Sequence, residues 1–578
     1  MSVRLQVPGP QKAPAAVQIL CTGVLLLPFP LIAAADEPSA AGARPQAAPS
    51  ALADPWPVFS VPGVARPAYL VPSIDPTFQS QVTRITNNTG ASTTPVSGSW
   101  GSDARHNYSK QQPWSSDQSL YVTENRGGSP APLILDGTTF VPRYTNCADY
   151  ALYDHRWHPS LDHPHEQINV NSSGTELMWF DVTTCTKTRS WTLPITVNYG
   201  IGSGEGNASN DGRFVALASS TRMFVVDMDP QPPYAPYPNR RIGPVLDVSS
   251  CGLSGGCSID WVSISASGKY AVVNYDGDHP RVFDVNPATL ALTPHPESGS
   301  SPRCSGGAAS AGYIYDVGHA DLALDPFDGN TDVLIGQEHC GNHGATIGGK
   351  KIGYVLMVRL SDGAITPLTD PTNEAYPHHV STRNLRLPGW AFVSHYKEAG
   401  KRFSDEIMAV KMDGSLACQR LAHSHSAFSG CYRCEVHPVA SPDGQRVVFA
   451  SNWAQDCGGG CGSGSDIKDY LVLNPIALDA GPASPPATGD LNLALGRIFP
   501  NPAVSFFRVS FALAGQGPAT LDLIDVAGRR VTHRDLGELG PGRHEANLER
   551  DAGLRQGIYT VRLTEAGRSV SSRVVLMH

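Results

Sequence analysis

Small polar turns followed by short apolar runs recur along most of this chain. The clearest is Ser441-Pro442-Asp443-Gly444, which leads into Arg446-Val447-Val448-Phe449-Ala450. Proline presets φ at the second turn position, and glycine accepts whatever φ follows. The run behind the turn is β-branched and aromatic, and of strand length. Related units begin at Ser115, Ser172, Ser209, Ser265, Asp325 and Asn384. Several add a second apolar run that ends in Asp or just before a turn, at 223–227, 282–284, 354–358, 406–414 and 470–473. With Ser441 this makes about seven units at spacings of roughly 37–61 residues, the range of propeller blades with long loops. The pattern predicts an all-β chain with a seven-bladed β-propeller over 75–474. A lone strand at 82–86 precedes the first unit. It is placed to pair with the last unit, which would close the ring and remove an open edge.

The texture changes after a Pro- and Ala-rich linker at 475–490. Phe507, Val509, Phe511 and Leu513 alternate with polar residues, Leu521 and Leu523 follow, and Tyr559, Val561 and Leu563 alternate again. Short alternating strands with Gly turns predict a small Ig-like β-sandwich over 491–578. At the other end, Arg4 and Lys12 precede an uncharged, largely apolar stretch that closes in Ala33-Ala34-Ala35. It reads as an export signal over 1–35, with Pro28 and Pro30 favouring cleavage over an uncleaved anchor. Residues 36–74 read as a disordered spacer and lead-in. No other stretch is long and apolar enough to cross a bilayer, so no transmembrane segment is expected after cleavage.

Composition narrows the function classes. Charged residues make up 16% of the 578, the net charge is −9, and no Lys/Arg run exists. A nucleic-acid partner has no electrostatic basis here. Export sets the reading of the 12 cysteines: Cys21 lies in the signal, and an odd number remains. Disulfides are the default in an oxidising compartment, with one thiol left over. Cys431-Tyr432-Arg433-Cys434 reads as a disulfide rather than a zinc knuckle with His425 and His437, because no second C-x-x-C is suitably spaced. Glu435 stands where a haem-attachment motif needs His. There is no P-loop or Rossmann fingerprint.

Histidine carries the candidate chemistry. His319 with Asp321, His378-His379 with Arg383, His423 with His425, and Glu435 with His437 each lie just before a unit's strand or in the loop after one. In a propeller such positions converge on the axis. His379, His425, His437 and Glu435 form a donor set for a divalent metal, Mn or Zn, with Fe and Ni sharing the imidazole preference. The first half adds Arg105-His106-Asn107-Tyr108 and a group of His155, His158, His163 and His165. A lone loop histidine is more commonly solvated or bonded to backbone, and His423 and His425 are the most surface-like of the set.

The turns resemble those of TolB-like and WD40-like propellers. Phe499-Pro500-Asn501-Pro502, the segment 523–529, Gly557-Ile558-Tyr559 and Arg573-Val574-Val575-Leu576 resemble the C-terminal sorting domain of type IX-secreted proteins and the related FlgD-like Ig domain. That resemblance implies delivery to the cell surface or medium and contact with the secretion machinery. Gly318-His319, Gln337-Glu338-His339 and Glu435-Val436-His437 resemble segments of oligogalacturonate lyases, seven-bladed enzymes with a His-rich manganese site. This resemblance implies metal-assisted β-elimination on a uronate polysaccharide. His319 would be the base oriented by Asp321, Arg383 would clamp the carboxylate, and His379, His425, His437 and Glu435 would hold the metal. The alternative is a non-catalytic surface module for glycan or protein, with Trp100, Trp114 and Trp157 stacking on sugars.

Overall fold

A computed structural model describes residues 53–145, 147, 156–201, 204–228, 241–253, 256–275, 279–296, 312–347, 349–474, 493–499, 506–537, 539–540, 542–549 and 554–576. The signal at 1–35, the spacer up to 52, His155, the 475–490 linker and Pro500-Asn501-Pro502 lie outside the described residues. Among those described the regular structure is all strand, apart from one 3-10 turn at Tyr432–Cys434. No helix among them is long and apolar enough to cross a membrane.

The strands form successive sheets, antiparallel apart from the short pairing of Asp103–Ala104 with Ile467–Leu473, and all but the last are built from strands close in sequence. In chain order they open with Leu120–Thr123, Arg156–Trp157, Phe214–Ala218, Ile259–Ile264, Val317–Asp325 and Pro377–Ser381, and the last contains Val439–Ala440, Arg446–Ser451 and Ile467–Leu473. The polar turns do the work their sequence foretells. Gly444 N–H donates to the Ser441 carbonyl at 2.7 Å, and the Ser441 hydroxyl donates to Asp443 at 2.6 Å. Ser209 repeats this with Gly212 at 2.8 Å and Asp211 at 2.5 Å. Gly444 has φ +71°, a value that glycine adopts without a Cβ clash. One unit differs from expectation. The turn at Ser172 joins the second strand of its sheet, Glu166–Val170, to the third, Glu176–Asp181, and Arg156–Trp157 is the strand that opens that sheet.

Each hydrophobic core is shared by two successive sheets. Leu120, Val122 and Ile134 pack with Trp157, Trp179 with Phe224, Val225 with Val273 and Val272 with Leu334. Ile335 packs with Val393, and Phe392 with Phe449. The series ends where it began, since Val448 and Leu471 of the last sheet pack with Trp114, Tyr121 and Leu133 of the first. The lone N-terminal strand, Gln81–Arg84, pairs with Ile467–Leu473, Val82 opposite Val472. The lead-in joins that sheet too: Pro72–Ile74 pairs with Gln81–Arg84, and Trp453 Nε1 donates to the Val64 carbonyl at 2.9 Å.

Trp100, Trp114 and Trp157 are 1%, 0% and 6% exposed. They fill these cores and cannot stack on sugars, which corrects the expectation for them. Four disulfides are described, Cys147–Cys185, Cys251–Cys257, Cys431–Cys434 and Cys457–Cys461. Cys340 is also disulfide-bonded, and among the described residues the free thiol is the buried Cys418.

The C-terminal region has two antiparallel sheets, one of Ala494–Phe499, Phe506–Leu513 and Gly542–Glu549 and one of Arg530–Gly537, Ala519–Ile524, Gly557–Glu565 and Arg568–Leu576. The alternating residues Val509, Phe511, Leu513, Leu521, Leu523, Val561 and Leu563 form one shared core, as their period of two requires.

Candidate metal centre

Four histidines from three sheets meet around one carboxylate. His378 Nε2 lies 3.5 Å from Glu435 Oε1, His379 Nε2 lies 3.0 Å from Glu435 Oε2, and His437 Nε2 lies 3.7 Å from that same oxygen. His319 stacks on His379, with centroids 4.3 Å apart and planes 8° apart. The His379 and His437 rings are 3.8 Å apart. His378, His379 and Glu435 thus hold three ligand atoms within 4.8 Å of one another.

The local backbone explains how adjacent residues reach one point. In a regular strand His378 and His379 would face opposite sides of the sheet. The ladder breaks register between Pro377 and Val380, and this irregularity turns both imidazoles toward Glu435. A similar break between Gly318 and Asp321 frees His319 from its strand. His319 and His437 have φ of 43° and 44°, left-handed values that cost non-glycine residues energy and cluster at functional sites. Glu435 caps the Tyr432–Cys434 turn, which the Cys431–Cys434 disulfide closes. The Arg105 guanidinium donates to the Glu435 carbonyl at 2.9 Å.

A second layer fixes the rings. His106 bridges Asp469 Oδ1 and the His437 carbonyl, both at 2.7 Å, while the Tyr121 hydroxyl donates to Asp469 at 2.6 Å. His319 Nδ1 faces the His378 carbonyl at 2.5 Å. A proton on Nδ1 satisfies that carbonyl and leaves the lone pair on Nε2. Burial holds His378 below, and His379 and His437 well below, the ordinary imidazole value, so these rings are neutral. Their Nδ1 atoms, and His437 Nε2, are buried without a hydrogen-bond partner. Neutral imidazoles with orphaned nitrogens beside a carboxylate are the donors that Zn, Mn and similar ions take. The residues therefore fit the divalent metal.

The structure brings together His319, His379, His437 and Glu435 of the expected residues and adds His378 and Tyr108. The Tyr108 ring lies 5.1 Å from His379 and 4.4 Å from His437. His425 is elsewhere: its ring packs on Trp453 at 4.4 Å, beside His423. His423 and His425 are also fully buried, against the expectation of surface residues. Asp321 does not touch His319. It accepts two bonds from Arg383, both at 2.9 Å, and two more from Thr382. The Arg383 guanidinium is spent there and on the Leu322 carbonyl, so it is not poised to clamp a substrate. A smaller group, His158, His163 and Glu166, also gathers three ligand atoms, with His163 exposed.

The fold and this centre define the class: an all-β protein of successive sheets with a buried histidine–glutamate cluster and a separate C-terminal sandwich. Residues 497–577 match the family model described as "Secretion system C-terminal sorting domain". The protein is therefore delivered by type IX secretion to the cell surface or the medium. No curated protein matches the chain. Among solved structures, an oligogalacturonate lyase in complex with manganese aligns at 14% identity and TM-score 0.44, over 72% of this chain and 98% of that one. A chain of a mitotic checkpoint complex aligns at 11% identity and TM-score 0.36, over 66% of this chain and 94% of its own.

Proposed function

We propose that this is a seven-bladed propeller with an Ig-like sorting domain, displayed outside the cell to cleave a uronate-containing polysaccharide at a metal centre of His378, His379, His437 and Glu435. The ring reading rests on cores shared by successive sheets, with the first and last sharing one. The functional reading rests on one observation: three buried imidazoles bring their Nε2 atoms to the partly exposed Glu435 carboxylate.

β-Elimination suits such a centre. A divalent cation held by His378, His379, His437 and Glu435 would offset the uronate carboxylate, where negative charge grows as the C5 proton leaves. His319, with its Nε2 lone pair free, accepts that proton. The C4–O bond breaks as the C4–C5 double bond forms. Tyr108, whose ring lies against His379 and His437, is the group beside the centre that would donate a proton to the departing oxygen. Asp321 and Arg383 hold the strand that carries His319 against its neighbour.

The test is ultraviolet absorbance of unsaturated ends released from uronate polymers, with and without chelator, alongside metal analysis. His319→Ala should abolish turnover and keep the metal, while His437→Ala should lose the metal. A wild-type protein that binds no divalent ion and releases no unsaturated ends ends this reading. A glycan-binding module without catalysis is then the second reading, favoured by the aromatic surface beside the centre.

A further inference from the structure

A row of aromatic rings leaves the metal centre across the loops of two adjoining sheets. Tyr396 lies 4.3 Å from His378, centroid to centroid, and 5.0 Å from Phe428. Tyr376 follows at 6.0 Å from Tyr396, then Tyr354 at 4.8 Å from Tyr376. His343 stacks on Tyr354 at 3.6 Å with planes 13° apart. Tyr354, Tyr376, Tyr396 and Phe428 are all only half-buried. Phe428 packs against the small cluster of Cys434, Ala450 and Ile467, but Tyr354, Tyr376 and Tyr396 belong to none of the cores, so core packing does not account for the three tyrosines.

Their loops are fastened rather than loose. Glu374 accepts the Tyr354 N–H at 3.0 Å, and Glu398 accepts the Tyr376 N–H at 2.7 Å. The Tyr396 N–H donates to the Tyr376 carbonyl at 2.9 Å. A contiguous surface of fixed rings with polar tips suits a ligand with an apolar face and a hydroxylated edge. Pyranose rings have that form. Spacings of 4–6 Å also carry one ring to the next without a gap.

The charge around the row selects among glycans. After burial, it is Glu398, Glu374 and Glu338 that raise the Tyr354 hydroxyl. The nearby cations are already used. Lys397 pairs with Asp456 at 2.5 Å, and Arg402 donates to the Thr372 and Asp370 carbonyls at 2.7 and 2.6 Å. Lys351 faces Asp370. A polyuronate laid here would place a carboxylate on every ring against this negative field.

We propose that this shelf seats a run of uncharged pyranose rings leading to the reacting unit at Glu435, so the substrate is a mixed polysaccharide with isolated uronates and not a polyuronate. The inference rests on the glycan reading above for the direction of the chain, but its binding step needs no metal.

The test is calorimetric titration of the full secreted chain, held in chelator, with cellohexaose, xylohexaose, mannohexaose and hexagalacturonate. At least one neutral hexasaccharide should bind, and more tightly than hexagalacturonate. Tyr354→Ala and Tyr376→Ala should each weaken it about tenfold, equivalent to losing about 1.4 kcal/mol of stacking. Tyr354→Phe should bind as wild type, since it keeps the ring and loses only the hydroxyl. Thermal melts would show that the variants are folded. No binding of any neutral hexasaccharide, wild-type binding by both alanine variants, or tighter binding of hexagalacturonate would each overturn the proposal. If unsaturated ends appear yet no neutral hexasaccharide binds, the shelf falls and the lyase stands. If tyrosine-dependent binding appears without metal or turnover, the shelf stands and the lyase falls.

Discussion

Two buried histidine clusters among the described residues both leave ring nitrogens without a hydrogen-bond partner, His423 Nε2 and His425 Nδ1 in one and those of His378, His379 and His437 in the other, but they differ in the carboxylates that meet them. Around His423 the acids outnumber the imidazoles. Asp75 accepts both the N–H and Nδ1 of His423 at 2.9 Å, Asp405 accepts the His425 N–H at 3.1 Å, and Glu406 takes a two-pronged bond from Arg420 at 2.6 and 2.5 Å. Burial alone would lower His423, but the Asp75 contact overcomes it and raises its pKa, while burial pushes Asp405 up to about 6. Around Glu435 the ratio is reversed: His319, His378, His379 and His437 gather at a single carboxylate, and several ring nitrogens have no partner. Fixed, internally matched charges make a structural knot. A surplus of neutral donors over carboxylates is the arrangement that the proposed metal would complete. Counting histidines in a sequence does not separate the two, but counting the carboxylates that meet them does.

Three measurements would break or sharpen this contrast. The largest effect belongs to the matched cluster. Glu406→Ala leaves the Arg420 guanidinium buried without its partner, and should cost about 3–5 kcal/mol in denaturant unfolding. Divalent-metal binding by the folded fraction should be unchanged. Equal loss of metal would mean that the clusters are one unit.

The next effect is on pH. Burial holds His395 at about 3 in the folded protein, against 6.5 as its ordinary value. Between those values the unfolded chain binds the extra proton, so stability is complete above 6.5 and falls as pH drops toward 3. From pH 6.5 to 5 that amounts to about 2 kcal/mol. Melting temperature should decline over this interval, and His395→Phe should flatten the decline. A wild-type slope in that variant would remove His395 from the account.

The smallest effect belongs to the Glu435 side. Replacing Cys431 and Cys434 by serine frees the turn that Glu435 caps, and should weaken metal binding about tenfold, in the range of losses for outer-shell changes. Competition with a coloured chelator reads this directly, and unchanged affinity would show that Arg105 alone holds the loop.

Much of the fold was legible because turn chemistry is local. Ser-Pro-Asp-Gly and its relatives fix their own hydrogen bonds within a few residues, and the alternation from Val509 to Leu513 dictates a face. The strand around Val82 could be matched to the last sheet because it had no partner of its own. The odd cysteine was legible as arithmetic, and it is Cys418. The site was half legible. His319, His379, His437 and Glu435 were placed by their position ahead of strands. His378, which the structure places beside Glu435, was not singled out because a regular strand would turn it away from His379, and a break in register is not written in the residue types. The doublet His378-His379 was the available signal. His425 was misassigned because its partners, Asp405 and Trp453, are distant in sequence. Asp321 and Arg383 were given separate roles, although their two-pronged geometry makes them each other's partner.

The strand Gln81–Arg84 has a consequence for manufacture. It completes the last sheet by pairing with Ile467–Leu473, and Asp469 N–H reaches Thr86 across 383 residues. Nearly all of the successive sheets must be synthesised before that seam exists. Contacts so distant in sequence slow folding, because loop closure comes before its reward. The sorting segment at 497–577 begins only after the second half of the seam. A chain cut short before 467 therefore lacks both its fastening and its address label. The strand that fastens the last sheet is made before the segment that addresses the chain, so a copy that carries the address already carries the fastening.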